Sequence, residues 1–212
     1  CNMQVLKFGG SSVATADAIR KVASILKEKT ANEPTVVVVS AFGKITDQLL
    51  QCGNLAAAGN IQYKELIHEI TQRHLDTARE LIPVAIQSST LSHIIQQFNE
   101  VDDICNGVYL LRELSIRTSD RILSYGELVS SQIVSAYLNT IGITNTWLDT
   151  SRLIVTDSTY KKAIVEFSIT YKNIQHAVPS KAQTLWIVPG FIARNEEGNI
   201  TTLGRGGSDY TA

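Results

Sequence analysis

The residues best suited to chemistry lie in two glycine-rich segments, one near each end of the sequence. The first, KFGGSS at residues 7–12, places Lys7 two positions before the glycine pair Gly9-Gly10. Glycines let an anion approach bare backbone N–H groups and a lysine adds positive charge, so this segment could hold a phosphate. It matches neither GxxxxGK[ST] nor GxGxxG, which excludes a Walker A loop and a dinucleotide fingerprint. A tight turn that needs glycine only for its dihedral angles is the competing interpretation.

The second segment, LGRGGSDYTA at residues 203–212, carries Arg205 and Asp209 among its glycines. An arginine offers a planar pair of donors that suits a carboxylate, and an aspartate can order neighbouring cations. Serine and aspartate are also residues that commonly cap the start of a helix. The alternative to a binding role is therefore that Asp209 is a helix cap and Arg205 a surface charge.

Short apolar runs near the start predict the elements that position the first segment. Residues 5–8 form a strand candidate, which the glycines end. A helix is predicted next, because apolar residues recur at i, i+3, i+4 and i+7: Ile19, Val22, Ala23 and Leu26. The β-branched run at 36–39 predicts a strand buried on both faces. The first forty residues therefore predict a strand–helix–strand unit.

The rest of the chain shows the same two periodicities. Three helical stretches are predicted from apolar faces: Ile67, Ile70, Ala78 and Leu81; Leu91, Ile94, Ile95, Phe98 and Val101; and Ile122, Val129, Ile133 and Tyr137. Strands are predicted at 144–148, 163–167 and 186–188, with a hairpin formed by 191–193 and 200–203. Alternating strands and helices predict an α/β fold with a mainly parallel sheet sandwiched by helices.

Composition restricts the class of protein. The chain has 212 residues, 44% of them hydrophobic, which suits one α/β domain or slightly more. With 19 basic and 20 acidic side chains the formal net charge is −1, so no nucleic acid partner is expected. No apolar run approaches the roughly 20 residues that span a bilayer, and no signal peptide is recognisable, so no membrane association and a cytoplasmic location are expected. The three cysteines form no CxxC pair, which predicts reduced thiols.

Three ordered segments resemble the signature motifs of aspartokinases, in the amino-acid-kinase family. Residues 7–14 (KFGGSSVA) match the opening motif K-F-G-G-[ST]-S-[VL]-A, and residues 203–212 match the motif L-G-R-G-G-S-D-[YF]-[ST]-A throughout. A third element, often [SH]-x-G-E, occurs as SYGE at 124–127. The resemblance implies the family's three-layer α/β fold.

The resemblance covers nearly all of the sequence but only about the first half of a typical family member. Residues 3–212 are therefore expected to form the N-terminal, substrate-binding part of an aspartokinase catalytic domain. The fold would be incomplete at its C-terminus, with the nucleotide lobe and the ACT domains absent. Residues 1–2 are interpreted as a remnant of expression cloning before a native start at Met3.

The resemblance implies how the phosphates would be bound. Lys7 would stabilise the charge on the β- and γ-phosphates, and Gly9, Gly10 and Ser11 would cradle them. Fixed positive charge and well-placed donors are what an in-line phosphoryl transfer requires. Asp209 matches the family aspartate that holds active-site lysines in place, so it is given an organising role.

The resemblance also implies how the substrate would be bound. Arg205 would bind the α-carboxylate of aspartate and Glu127 its ammonium group, while Ser40 and Thr46 match positions that contact the substrate carboxylates. Lys44 lies next to this segment, and either a phosphate or substrate contact or a solvent-exposed role is open for it. An N-acylated substrate has no ammonium and would leave Glu127 without a charge partner.

The implied activity is transfer of the γ-phosphoryl group of ATP to the side-chain carboxylate of L-aspartate. The product, 4-phospho-L-aspartate, begins the biosynthesis of lysine, threonine and methionine. No general base is required, because this carboxylate is already ionised at pH 7. Mg²⁺ would arrive with ATP, held mostly by phosphate oxygens and by no dedicated protein site. The full-length protein is expected to be a homo-oligomer.

Two alternatives stay open from the sequence. One is another amino-acid kinase acting on glutamate or N-acetylglutamate, which Glu127 and the long helical stretch before it disfavour. The other is a non-catalytic aspartate-binding module, because the isolated chain is expected to have little or no kinase activity. A homoserine dehydrogenase could also be fused downstream.

Overall fold

A computed structural model describes residues 3–30, 33–178, 185–204 and 206–212. Its strands are β1 (Gln4–Phe8), β2 (Thr35–Val39), β3 (Thr146–Trp147), β4 (Val155–Thr156), β5 (Leu185–Pro189), β6 (Ile192–Asn195) and β7 (Ile200–Thr202). Its α-helices are α1 (Ala16–Lys29), α2 (Ile45–Ala57), α3 (Tyr63–Leu81), α4 (Ser88–Leu111), α5 (Ile116–Thr140), α6 (Phe167–Ala177) and α7 (Gly207–Thr211). Two single 3₁₀ turns lie at Val84–Ile86 and Thr150–Arg152.

Four strands form a parallel sheet in the order β1-β2-β5-β3. Its register pairs Phe8 with Val39, and Val39 with Pro189, so three strands end at the same edge. Strand β5 is buried along its whole length, which explains its continuous apolar sequence. The loops that follow these strands therefore begin side by side, where open α/β sheets usually place their sites.

A smaller sheet and a set of packed helices complete the described structure. Strands β4 and β6 pair in parallel, and β6 and β7 form the predicted antiparallel hairpin. Helices α2 to α5 pack against one another, and α5 also lies against the parallel sheet. The predicted α/β fold with a mainly parallel sheet and helices is confirmed.

The predicted strand at 163–167 is wrong. Ala163 and Val165 are buried while Ile164 is exposed, so the alternation in the sequence is real. However, only Val165 forms a bridge, with Thr156, and Phe167 already begins α6. Alternating burial alone therefore did not distinguish a ladder strand from a short extended segment. The predicted strand at 144–148 is also shorter in the structure, where β3 is the pair Thr146–Trp147.

A buried carboxylate on α5 holds the second sheet in place. Asp120 is fully buried and accepts hydrogen bonds from the backbone N–H of Lys161 (2.8 Å) and from the N–H and hydroxyl of Thr202 (2.9 and 3.0 Å). Burial raises the pKa of Asp120, and these three hydrogen bonds act in the opposite direction. Because Thr202 ends β7, Asp120 fixes where the second glycine-rich segment begins.

We expect Asp120→Ala to lower the free energy of unfolding of the chain by about 3 kcal/mol or more, since it leaves the buried N–H and hydroxyl of Thr202 without their acceptor. Urea unfolding followed by circular dichroism measures this effect. Asp17→Ala is the matched control, because Asp17 pairs with Arg20 on the surface and such pairs contribute about 0–1 kcal/mol. Equal losses in the two variants would contradict the anchoring role of Asp120.

Two further observations concern the helices and the cysteines. Among the residues that the structure describes, none of the helices combines the length and the apolarity that crossing a bilayer requires. Cys52 and Cys105 are buried free thiols, as the sequence predicted, and burial raises the pKa of each to about 12. Neither thiol is therefore ionised near neutral pH.

Candidate phosphate and substrate site

A cavity of about 320 Å³ opens at the edge where the parallel strands end. The loops after β1, β2 and β7 line it, together with α5. Seven of the predicted site residues belong to its lining: Lys7, Gly9, Gly10, Ser40, Thr46, Glu127 and Asp209. Ser11 does not line it and is exposed, whereas the predicted Arg205 lies outside the described residues. The structure thus brings the three motifs, from distant parts of the sequence, to one site.

An ion pair joins the two glycine-rich segments. The Lys7 Nζ atom lies 2.6 Å from Oδ1 of Asp209, although 202 positions separate them in the sequence (209 − 7). The Lys7 side chain is 30% exposed and the Asp209 side chain 68% exposed, so this pair adds little stability by itself. Its effect is to hold the lysine ammonium over the first glycine turn, which is the geometry that the organising role of Asp209 requires.

The loop after β2, residues 40–44, is held between two glycines. A Cβ atom on Gly10 would lie 3.0 Å from the carbonyl oxygen of Ala41, and one on Gly126 would lie 3.0 Å from the Ala41 side chain. Only glycine permits such close approach from both sides without displacing the loop. Ser130 adds a hydrogen bond of 2.7 Å to the Ser40 carbonyl. Helix α5 and the first glycine turn therefore fix this loop together.

Glu127 carries a buried carboxyl group that forms no ion pair among the described residues. Only 4% of the residue is exposed, and Oε2 makes no hydrogen bond among the described residues. Burial raises the pKa of Glu127 to about 8, and a hydrogen bond from the backbone of Ala41 acts in the opposite direction. A buried acid of this kind is costly unless a cation pairs with it. Since Glu127 lines the cavity, it is suited to bind a positively charged group there.

Two non-glycine residues of the cavity have left-handed backbone conformations. Lys44, at the start of α2, has φ 72°, and Phe191, after β5, has φ 69°. Such a conformation costs roughly 1–2 kcal/mol for a residue with a side chain. The surrounding loops must therefore hold both residues in place. Backbone strain of this kind is frequent at binding and catalytic sites.

Sequence reasoning missed the residues that support the loop after β2. His74 on α3 is fully buried and stacks on Phe42, with ring centroids 4.7 Å apart and 13° between the planes. The available signal was its spacing, because His74 lies four residues after Ile70 and seven after Ile67, on the predicted apolar face.

Acid should destabilise the protein through His74. Burial lowers its pKa from 6.5 to about 4, so the unfolded chain binds a proton that the folded chain excludes. The contribution of neutral His74 to the free energy of unfolding is fully present above pH 6.5 and is lost as the pH falls towards 4. The loss is about 3 kcal/mol at pH 4. His74→Leu should remove this part of the pH dependence in urea unfolding, whereas the control His176→Leu, on the exposed face of α6, should keep it. If the free energy of unfolding depended on pH in the same way in wild type and in His74→Leu, the prediction would be contradicted.

The fold and the cavity define a class of protein: an α/β protein with glycine turns suited to anions at the ends of parallel strands, beside a buried acid. A model of the amino acid kinase family matches residues 2–212. The chain belongs to the amino acid kinase family.

Named relatives and solved structures agree with this assignment. The chain is 35% identical to aspartokinase 1 (chloroplastic) of Arabidopsis thaliana, over 98% of the chain and 37% of that protein. It is 31% identical to an aspartokinase of Chlamydia trachomatis, over 98% of the chain and 44% of that protein. The crystal structure of Escherichia coli aspartokinase III with aspartate and ADP superposes with a TM-score of 0.90 at 26% identity, covering 100% of the chain and 45% of that structure. The chain therefore spans less than half of the proteins that it resembles.

Proposed function

We propose that the protein containing this chain transfers the γ-phosphoryl group of ATP to the side-chain carboxylate of L-aspartate. The observation that carries the proposal is the buried carboxyl of Glu127, whose Oε2 has no hydrogen-bond partner among the described residues, in the same cavity as Lys7 and the first glycine turn. This arrangement provides one negative and one positive group, which is what a substrate with an ammonium and two carboxylates needs. The proposal is supported by the E. coli structure that the chain resembles, which contains aspartate and ADP.

Lys7 acts on the phosphates in this proposal. Its ammonium lies near Gly9, since a Cβ on Gly9 would be 3.5 Å from Nζ. Backbone N–H groups of the turn and the lysine charge would bind phosphate oxygens together and stabilise the charge that develops during transfer. Asp209 positions the lysine. Ser11, exposed and outside the cavity lining, is proposed only as a flanking residue of the phosphate turn.

Glu127 selects the amino acid. The ammonium group of aspartate would pair with its carboxylate, while Ser40 and Thr46, which also line the cavity, offer donors to the substrate carboxylates. Arg205 is proposed for the α-carboxylate on the strength of the motif alone. An N-acetylated substrate could not satisfy Glu127, so N-acetylglutamate is a poor fit. No side chain needs to act as a base, because the attacking carboxylate is already ionised.

The remaining properties are proposed from the family. Mg²⁺ would be bound mainly by the phosphates of ATP, where it neutralises charge. The cavity fits this mode, since the carboxylates in its lining besides Glu127 are the exposed Asp47 and the ion-paired Asp209. We also propose a homo-oligomeric, cytoplasmic enzyme of lysine, threonine and methionine biosynthesis. Size-exclusion chromatography and cell fractionation test the first two, and fractionation would also reveal a plastid location like that of the Arabidopsis relatives.

The deciding experiment is a hydroxamate assay on the full-length protein with ATP, Mg²⁺ and L-aspartate. Parallel reactions contain L-glutamate, N-acetylglutamate or N-acetylaspartate instead. We expect product with aspartate and at most traces with the other three substrates, and no product after EDTA. Product with an acylated substrate would indicate another amino-acid kinase. No product from folded protein would favour a non-catalytic aspartate-binding module, which calorimetry with aspartate would identify.

A further inference from the structure

An arginine on α3 connects the two loops that form the phosphate and substrate sides of the cavity. Arg73 donates from Nη1 to the carbonyl of Gly43 at 2.7 Å and from Nη2 to the carbonyl of Ala14 at 3.0 Å. Gly43 belongs to the loop after β2, and Ala14 lies in the segment between the first glycine turn and α1. One guanidinium group therefore bridges backbone atoms of both loops.

The bridge reinforces a direct contact between the same loops. The N–H of Gly43 donates to the carbonyl of Gly10 at 3.1 Å. Both backbone polar groups of Gly43 are therefore hydrogen-bonded, the N–H to Gly10 and the carbonyl to Arg73. Because the first glycine turn would bind phosphate and residues 40–46 would bind aspartate, these bonds set the distance between the two reactants.

The contacts of Arg73 indicate that its two donors, rather than its charge, are used here. In the part of the chain that the structure describes, no carboxylate lies within ion-pair distance of it. It is half-buried, and burial lowers its pKa. The guanidinium carbon also lies 5.9 Å from the centre of the Phe42 ring, on which His74 stacks. A planar fork can reach two carbonyls at a fixed spacing, which a lysine cannot do.

We propose that Arg73 is a positioning residue for phosphoryl transfer, which clamps the phosphate-side loop to the substrate-side loop at the spacing that in-line attack requires. The proposal rests on the proposed function. Each loop keeps its own internal contacts without Arg73, so the affinity for each substrate should change little. Their relative placement should change, and displacements of this size act on turnover, since an error of about 1 Å can cost 10²-fold in rate.

The test uses the full-length protein and four variants, of which Arg73→Ala serves for chemical rescue. Arg73→Met keeps the apolar stem but removes both donors, and Arg73→Lys keeps the charge but not the fork. Arg79→Met is the matched control, because Arg79 lies on the same helix and pairs only with the exposed Asp76 among the described residues. For each variant we would measure kcat, KM for aspartate and for ATP, the melting temperature, and hydrogen exchange of peptides covering residues 9–15 and 40–46.

We expect Arg73→Met to lower kcat by about 10- to 100-fold, with both KM values changed by less than about threefold. Hydrogen exchange should become faster in both loops. Arg73→Lys should recover only part of kcat, millimolar guanidinium should partly rescue an Arg73→Ala variant, and Arg79→Met should behave like wild type. Unchanged kcat in Arg73→Met would overturn the proposal, and so would a lower melting temperature with normal turnover per folded molecule.

Failure of the proposed function can be told apart from failure of the clamp. If wild-type protein forms no aspartyl hydroxamate, the proposed function fails, and hydrogen exchange still reports on the two loops. Faster exchange in both loops of Arg73→Met, but not of Arg79→Met, would then establish the clamp without its role in turnover. Unchanged exchange in both loops would reject the clamp itself.

Discussion

Replacing Lys7 with alanine in the full-length protein is expected to lower kcat for aspartyl phosphate formation by about 10²–10³-fold, the usual effect of removing one group that stabilises transition-state charge. The ammonium lies against the first glycine turn and is held by Asp209 at 2.6 Å. Its loss removes a positive charge and also leaves the Asp209 carboxylate free to repel the phosphates. The hydroxamate assay at saturating ATP and aspartate measures the change.

Two further variants make this prediction specific. Lys27→Ala, in the last turn of α1, removes a lysine outside the cavity and should leave kcat unchanged. In a double-mutant cycle, Asp209→Asn should be less damaging in the Lys7→Ala background than in wild type, because the residues act as a unit. Additive effects would mean that the ion pair is not used in catalysis. A Lys7→Ala protein with nearly full kcat would remove Lys7 from the proposed mechanism.

Aspartate affinity is expected to depend on pH through Glu127. Because burial raises the pKa of Glu127 to about 8, most molecules carry it protonated at pH 7, and an ammonium group must displace that proton. Affinity should therefore rise by up to about tenfold per pH unit between pH 6 and pH 8, and binding at pH 7 should release close to one proton. Calorimetry in buffers of different ionisation enthalpy measures the proton release.

Glu127→Gln is the informative variant, since it keeps the volume of the protonated side chain but cannot become charged. We expect KM for aspartate to rise by about 10²–10³-fold, as for a broken buried ion pair, and the pH dependence of affinity to vanish. An ATP-site effect is not expected, so KM for ATP serves as the internal control. Wild-type affinity in this variant would indicate that Glu127 does not bind the ammonium group.

The same variant has a readout that does not depend on activity. The pKa of Glu127 is higher in the folded chain than the value of 4.5 in the unfolded chain. The contribution of protonated Glu127 to the free energy of unfolding is therefore complete below pH 4.5 and is lost as the pH rises towards 8. Glu127→Gln should therefore become more stable relative to wild type as the pH rises through this range. Urea unfolding of the free protein at several pH values measures the difference, and a constant difference would contradict the burial of an ionisable Glu127.

Local sequence was sufficient for the elements whose signals are strong and local. The β-branched run of β2 and the apolar stripe of α1 lie where periodicity placed them, because burial on one or both faces selects those patterns directly. The segment at 163–167 was predicted wrongly, because it forms only a single bridge, from Val165 to Thr156, and a backbone hydrogen bond from Ala163 to Thr202, which do not extend into a ladder. Whether a segment pairs as a strand depends on partner strands from elsewhere in the chain, and the alternation of apolar and polar residues does not indicate whether such partners exist.

The three motifs of the sequence predict Lys7, Glu127 and Asp209 as site residues by residue type and order, and all three line the candidate cavity. How these residues are held depends on the tertiary structure. The register of three parallel strands aligns their ends, and α5 buries Glu127 so deeply that its pKa rises. Arg73 and His74 support the site from α3 through backbone carbonyls and a stacked ring. Such contacts join residues far apart in the chain, and a carbonyl acceptor is available at every residue, so no sequence pattern marks them.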